Sequence, residues 1–276
     1  MKKILTLSLA ALMAFSAPAS ITFAAPAAGG EFVSVKAAKA TAISTAEDLK
    51  AMESNPSGSY YLAKDIALPA DFQLFGDSDH PFKGQLDGKG HKLTGYTYKT
   101  SSWAENAGIF GYAKGAVFKN ISITGVDINL QDGGRMGTLV YSATSCTFDQ
   151  IKTSGKISVK GETAGIGGIV NVNDGNAVIK NCVNAINITV DVRGTADSSP
   201  SCDIGGITIF ASGSSSKSLL QNCTNKGTIK VTYKPSDEWG GNEFSISGVA
   251  NSFYGKKAVK NCKNTGAIIC TIEKAA

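Results

Sequence analysis

The chain has 276 residues and a formal charge of +5, from 27 lysines and arginines against 22 carboxylates. With 31 glycines and only 18% charged residues, it suits a fold of many tight turns and few long surface helices. Arginine occurs only at Arg135 and Arg193 and the lysines are scattered along the sequence, so no basic stripe for nucleic acid is visible.

Residues 1–24 read as an export signal. Lys2 and Lys3 precede an apolar run, ILTLSLAALMAF (4–15), and small residues then lead to an expected cleavage after Ala24. The run is too short to span a bilayer and no longer one follows, so no membrane span is expected once the signal is removed. The expectation is a secreted or cell-surface bacterial protein. Residues 25–41 are Ala-rich and aperiodic, a disordered lead, and 42–276 are expected to form one domain.

ISTAEDLKAMES (43–54) is the one good helix. Ser44 and Glu47 have capping-box spacing, and Ile43, Leu49 and Met52 form an apolar stripe suited to closing the end of a larger structure. SGSYYLAKDIAL (57–68) reads as a strand, and HPFKGQLDGKGHKLTGY (80–96) as two short strands about a DGKG turn.

Five similar segments follow: VFKNISITGVDIN (117–129), TFDQIKTSGKISV (147–159), VIKNCVNAINITV (178–190), LLQNCTNKGTIKV (219–231) and AVKNCKNTGAIICTI (258–272). Each is preceded by a Gly-hydrophobic stretch such as AGIFG (107–111) or IGGIV (166–170). A repeat this short cannot bury an apolar face alone and must stack on its neighbours, which makes the chain a β-solenoid.

The segments align on Asn120, Gln150, Asn181, Asn222 and Asn261, at steps of 30, 31, 41 and 39 residues. The longer steps leave room for loops at GTADSSPS (194–201) and YKPSDEWGGNE (233–243). Ile157/Val159, Ile188/Val190, Ile229/Val231 and Ile268/Cys270 alternate, so each pair lies on one strand face. The aligned amides are expected to form a structural ladder near a corner. Asn184, Asn225 and Asn264, three residues further on, read as turn residues in the left-handed region.

Cys182, Cys223 and Cys262 stand where Ile121 and Ile151 stand in earlier copies, and Cys270 where Val159, Val190 and Val231 stand. A residue exchanging with Ile and Val is a small hydrophobe, so these four form a core ladder of free thiols, although stacked neighbours are within reach of a bridge. The pairing of Cys146 and Cys202 is left open. With no CxxC and only two histidines, neither a metal site nor a cofactor is expected.

Three motifs, in order, resemble secreted bacterial proteins that carry the GLUG motif: ISTAEDLKAM with GSYYLAKDIAL, PFKGQLDGKGHKLTGY, and AGIFGYAKGAVFKNISITG. They cover residues 43–129. Lys89 replaces a usual Asn, and the later copies carry NCxN in place of NLxV. The resemblance implies an all-β, right-handed parallel β-helix of the pectin-lyase-like type, with the short N-terminal helix as its cap. It also implies a non-catalytic surface role.

Catalysis finds little support. His80 and His91 are eleven residues apart and fit turns better than a triad or a zinc site. Asp77, Asp79 and Asp87 cluster in sequence as a glycosidase pair might, yet fit turns too, as does Arg135 in QDGGRMG. The most ligand-like loop holds Tyr233, Asp237, Glu238 and Trp239, with Trp103 a second aromatic suited to stacking on a sugar. The sequence therefore points to an exported, adhesin-like binding module for a glycan or surface protein. A polysaccharide lyase or hydrolase is the alternative.

Overall fold

The computed structural model describes residues 39–194, 200–212, 218–234, 243–253 and 259–273. Ala40–Ala276 is one compact unit. The chain enters it through β1 (Thr41–Ile43), helix α1 (Ala46–Ala51), β2 (Ser59–Leu62), β3 (Ile66–Ala67), β4 (Gln85–Asp87), β5 (Lys92–Thr94) and β6 (Thr97–Thr100).

Five circuits follow. The first is β7 (Ala104–Ala107), β8 (Phe110–Lys114), β9 (Val117–Lys119) and β10 (Ser122–Leu130). The second is β11 (Gly134–Gly137), β12 (Val140–Thr144), β13 (Thr147–Asp149) and β14 (Lys152–Gly161). The third is β15 (Thr163–Gly167), β16 (Val170–Asp174), β17 (Val178–Lys180) and β18 (Val183–Arg193). The fourth is β19 (Ser201–Gly205), β20 (Thr208–Ser212), β21 (Leu219–Gln221), β22 (Thr224–Asn225) and β23 (Ile229–Lys234). The fifth is β24 (Glu243–Ser247), β25 (Ala250–Phe253), β26 (Val259–Lys260), β27 (Lys263–Asn264) and β28 (Ile268–Ile272).

Corresponding strands of successive circuits pair in parallel, giving a right-handed parallel β-helix with four walls. Sheet A runs β1-β2-β4-β9-β13-β17-β21-β26. Sheet B gathers β3, β5, β6, β10, β14, β18, β22, β23, β27 and β28. Sheet C runs β8-β12-β16-β20-β25, and sheet D β7-β11-β15-β19-β24.

The alternating residues of the repeats become interior columns. Ile128, Ile157, Ile188, Ile229 and Ile268 lie opposite one another in register, as do Leu130, Val159, Val190, Val231 and Cys270. The first circuits are filled by rings: Phe118 stacks on Phe148 at 5.3 Å, and Phe82 lies 5.4 Å from Phe110. In the last described circuit Ile268, Ile269 and Ile272 are exposed, Ile272 to 76%.

Helix α1 seals the other end with Leu49 and Met52, both fully buried. Its capping box sits one residue later than Ser44 and Glu47 suggest. Thr45 Oγ1 accepts from Asp48 N at 3.1 Å, while Asp48 Oδ2 accepts from Thr45 N and Ser44 N. The shift has a cause upstream. The β1 strand extends through Ile43, whose carbonyl accepts from Ala63 N, so the helix cannot begin before Thr45. Thr41, assigned to the lead, already pairs with Tyr60 in β1. The expected strand over 57–68 is two strands, β2 and β3, on different walls, because the chain turns a corner between them.

Candidate binding surface

At the corner between sheets A and B the backbone must turn sharply. Asn120, Gln150, Asn181, Asn222 and Asn261 all take positive φ there, from 51° to 58°. Asn tolerates this region better than most residues, which explains the recurrence. Their side chains point outward along the corner. Asn120 Nδ2 donates to Asp87 Oδ1 at 2.9 Å, Asn181 Nδ2 to Asp149 Oδ1 at 2.8 Å, Asn222 Nδ2 to Asn181 Oδ1 at 3.1 Å, and Asn261 Nδ2 to Asn222 Oδ1 at 3.3 Å.

The residues read as turns, Asn184, Asn225 and Asn264, do not take positive φ. They occupy an interior column with Leu93, Ile123 and Thr153. Asn184 and Asn225 are fully buried. Thr153 Oγ1 donates to Asn184 Oδ1 at 2.6 Å, and Asn225 Nδ2 donates to Asn264 Oδ1 at 2.7 Å. The left-handed turn and the buried amide therefore belong to opposite members of the Asn-x-x-Asn pair. Position explains the exchange: the first amide falls on the corner itself, the second on the inward face of the next strand.

The thiols Cys182 and Cys223 are fully buried at one interior position, Cys262 is half-buried and Cys270 is exposed in the last described circuit. Cys182 Sγ donates to Lys180 O at 3.1 Å, and Cys223 Sγ to Gln221 O at 3.3 Å. Cys146 and Cys202 are buried, and all six are free.

Two of the carboxylates considered for catalysis, Asp87 and Asp77, are drawn below the usual carboxylate value. Burial works to raise the Asp87 carboxyl, but hydrogen bonds from Asn120 and Lys89 N, with the Lys119 and Lys89 ammonium groups, bring it below its usual value. A hydrogen bond from His80 lowers Asp77, whose Oδ1 also accepts from Asp79 N. The Lys92 backbone N–H and then His91 lower Asp65. So His80 serves the carboxylate of its own turn, and His91 that of Asp65, beside the neighbouring strand β3. Arg135, read as a turn residue, lies on strand β11, exposed, with its stem across Gly165.

Of the aromatic candidates, Tyr233 sits in the inward column between Val192 and Ile272, its ring centroid 4.8 Å from that of Phe244. It is spent on packing at the edge of the core. Asp237, Glu238 and Trp239 lie outside the described residues. Trp103 is 42% exposed at the head of the first circuit and rests against Gly133, whose conformation (φ +78°) and lack of a side chain admit the ring.

Charge divides between the walls, which the linear sequence hides. In sheet B, Lys92, Lys99, Lys152, Lys156 and Lys160 are all exposed. Arg193, Lys230, Lys234 and Lys263 continue the same wall on later circuits. Only Asp127 and Asp191 oppose them within its strands. Sheet D presents Glu105, Asp203 and Arg135 instead. Sheet A balances Lys119 and Lys180 against Asp87 and Asp149 in ion pairs of 3.5 and 3.2 Å.

The chain matches no protein-family model and no curated protein. Among solved structures, one described as an IgA1 protease superposes with a TM-score of 0.41 at 15% identity, over 83% of this chain and 21% of its own length. The chain thus spans about a fifth of that structure. No described helix is long and apolar enough to cross a membrane.

Proposed function

We propose that the chain is an exported, non-catalytic binding module, adhesin-like, whose ligand is a glycan or a surface protein. The observation that carries this reading is the fate of the polar groups. The repeat amides bond from circuit to circuit along the corner and the interior column, and the turn carboxylates are paired to nearby donors. Among the described residues, what remains for a partner is open wall and a hollow beside helix α1 lined by Ser44–Glu47 and Lys64–Pro69. Glycoside hydrolysis needs a carboxylic acid kept protonated to serve as general acid, and among the described residues the three carboxylates with a resolved shift, Asp65, Asp77 and Asp87, move the other way. The resemblance of residues 43–129 to GLUG-motif surface proteins and the export signal expected at 1–24 support the same reading.

The test is the mature chain, beginning at Ala25, on an array of glycans, mucins and matrix proteins. Saturable binding to one class is expected. Release of product from a panel of polysaccharides, or no binding at all, overturns the proposal. Trp103→Ala and Trp239→Ala then locate the site. Trp103 is the described aromatic with an open face, so its loss is expected to weaken retention if the ligand stacks there.

A further inference from the structure

We infer that the outer face of sheet B is a docking platform for an extended acidic polysaccharide. This inference rests on the binding-module reading and adds the face and the ligand chemistry. Along β14 the outward residues are Lys152, Ser154, Lys156, Ser158 and Lys160, alternating with inward Thr153, Ile157 and Val159. At a rise of about 3.3 Å per residue, Lys156 and Lys160 root roughly 13 Å apart along β14, and Lys152 stands before Gly155, where a φ of +139° and a register shift against β10 bend the wall. Neighbouring circuits lie about 4.8 Å away on either side and extend the platform. Ser158 has Asn129 and Thr189 beside it in register, then Lys230 beyond Thr189.

The acidic residues of the face are already engaged. Asp127 faces Lys156 at 3.4 Å and Lys99 at 3.9 Å, and Asp191 holds Arg193 at 2.9 Å. Among the described residues, Lys152, Lys160, Lys230 and Lys263 form no ion pair. The wall thus offers spaced cations on a field of hydroxyls and amides, which suits a polymer with repeating negative charges and hydroxyls of its own.

Three features favour a polysaccharide over nucleic acid or a bilayer. The aromatics in the strands of this sheet, Tyr98 and Tyr233, face the core, so no ring is offered for stacking on bases. No described helix or arm rises from the wall to enter a groove. No exposed apolar side chain stands among the lysines of β14 to insert between lipids, and Ile269, exposed beside Lys230, is confined to the last described circuit.

The experiment measures binding of the full mature chain to heparin, polygalacturonate, neutral dextran and duplex DNA over a range of salt. The variants reverse Lys152, Lys156 and Lys160 together to Glu, with Lys→Arg at the same three sites as rescue. Lys64, Lys83 and Lys114, exposed and outside sheet B, reversed together to Glu are the control for net charge. Heparin or polygalacturonate is expected to bind, and to weaken by at least roughly tenfold in the Glu variant. The log–log salt slope should become shallower by roughly one unit per lysine removed, by analogy with phosphate contacts. The Arg variant retains binding and the control changes little. A separate thermal melt confirms that each variant folds. Equal loss in the control, preference for dextran, or tighter binding to duplex DNA overturns the inference. Binding to a neutral glycan or a protein that the Glu variant leaves intact overturns this inference alone. Failure of every probe here and on the array overturns the module reading with it.

Discussion

The amide of Asn184 donates to Oδ1 of Asn225 at 2.9 Å inside the solenoid, where neither side chain touches solvent. Asn225 in turn donates to Asn264 and to Gly227 O. A buried amide left unpaired costs about 1–3 kcal/mol, so the column is stable only as a continuous chain.

Replacing the middle member interrupts the column on both sides. Asn225→Leu keeps the branched shape but leaves the buried Asn184 Nδ2 and Gly227 O, and the exposed Asn264 Oδ1, without their partner. A loss of about 2–5 kcal/mol is expected, taking each orphaned group at the usual desolvation cost. Urea unfolding followed by circular dichroism reads it, and a midpoint equal to wild type would show that the amides bond elsewhere.

The same column dictates the glycines of the Gly-hydrophobic stretches. A Cβ on Gly206 would lie 2.1 Å from Gly248 O and 2.7 Å from Asn225 Cγ, and one on Gly168 would lie 2.1 Å from Gly206 O. Backbone carbonyls of the next circuit cannot move aside without breaking the sheet. Gly206→Ala is therefore expected to destabilise by about 1–3 kcal/mol or more, the range of core overpacking. Gly90→Ala is a poor control because φ there is +86°. Ala63→Gly, at an exposed position outside the strands, serves better.

How far the sequence reveals this depends on periodicity. The Ile and Val columns that run through five circuits follow from a period of two repeated at about thirty to forty residues, and the stacked positions of Cys182 and Cys223 follow from substitution by Ile121 and Ile151. The roles of the two asparagines do not follow, because both residue types suit corners and nothing local separates a left-handed Asn181 from an inward Asn184. The lysine platform is hidden for a different reason. Lys99, Lys156 and Lys230 are far apart in the chain and come onto one wall only when the circuits are stacked, Lys99 and Lys230 in one column across Asn129, Ser158 and Thr189, with Lys156 beside it. A count along the sequence sees them as scattered; a count along the strand KTSGKISVK would have shown the alternation.

The corner amides make a backbone prediction that separates conformation from hydrogen bonding. Asn222 has φ 54° and is exposed. Asn222→Gly loses the side-chain bonds but keeps easy access to that conformation, whereas Asn222→Ala loses both. The Ala variant should be less stable than the Gly variant by about 1 kcal/mol, the penalty of an L side chain in the left-handed region. Equal stabilities would mean that the bonds to Asn181 and Asn261, not the turn, are what the position supplies.

The thiols make the fold sensitive to alkali. Burial pushes Cys146 up to about 11 and Cys202 up to about 12. Cys223 is also raised to about 12, chiefly by its hydrogen bond with Cys182 and further by burial. In the unfolded chain a thiol titrates near pH 8.5. Above that value the unfolded state releases protons that the folded state keeps, so stability is fully present below about pH 8.5 and declines as pH rises toward 11–12. Unfolding midpoints measured from pH 7 to pH 10.5 should fall, and Cys223→Val should flatten part of that fall. Labelling gives an independent reading. A maleimide at pH 7 should modify Cys270 first, because it is exposed, while Cys146, Cys182, Cys202 and Cys223 react only after denaturation. A pH-independent midpoint, or rapid native labelling of Cys223, would contradict the buried column that the circuits build around it.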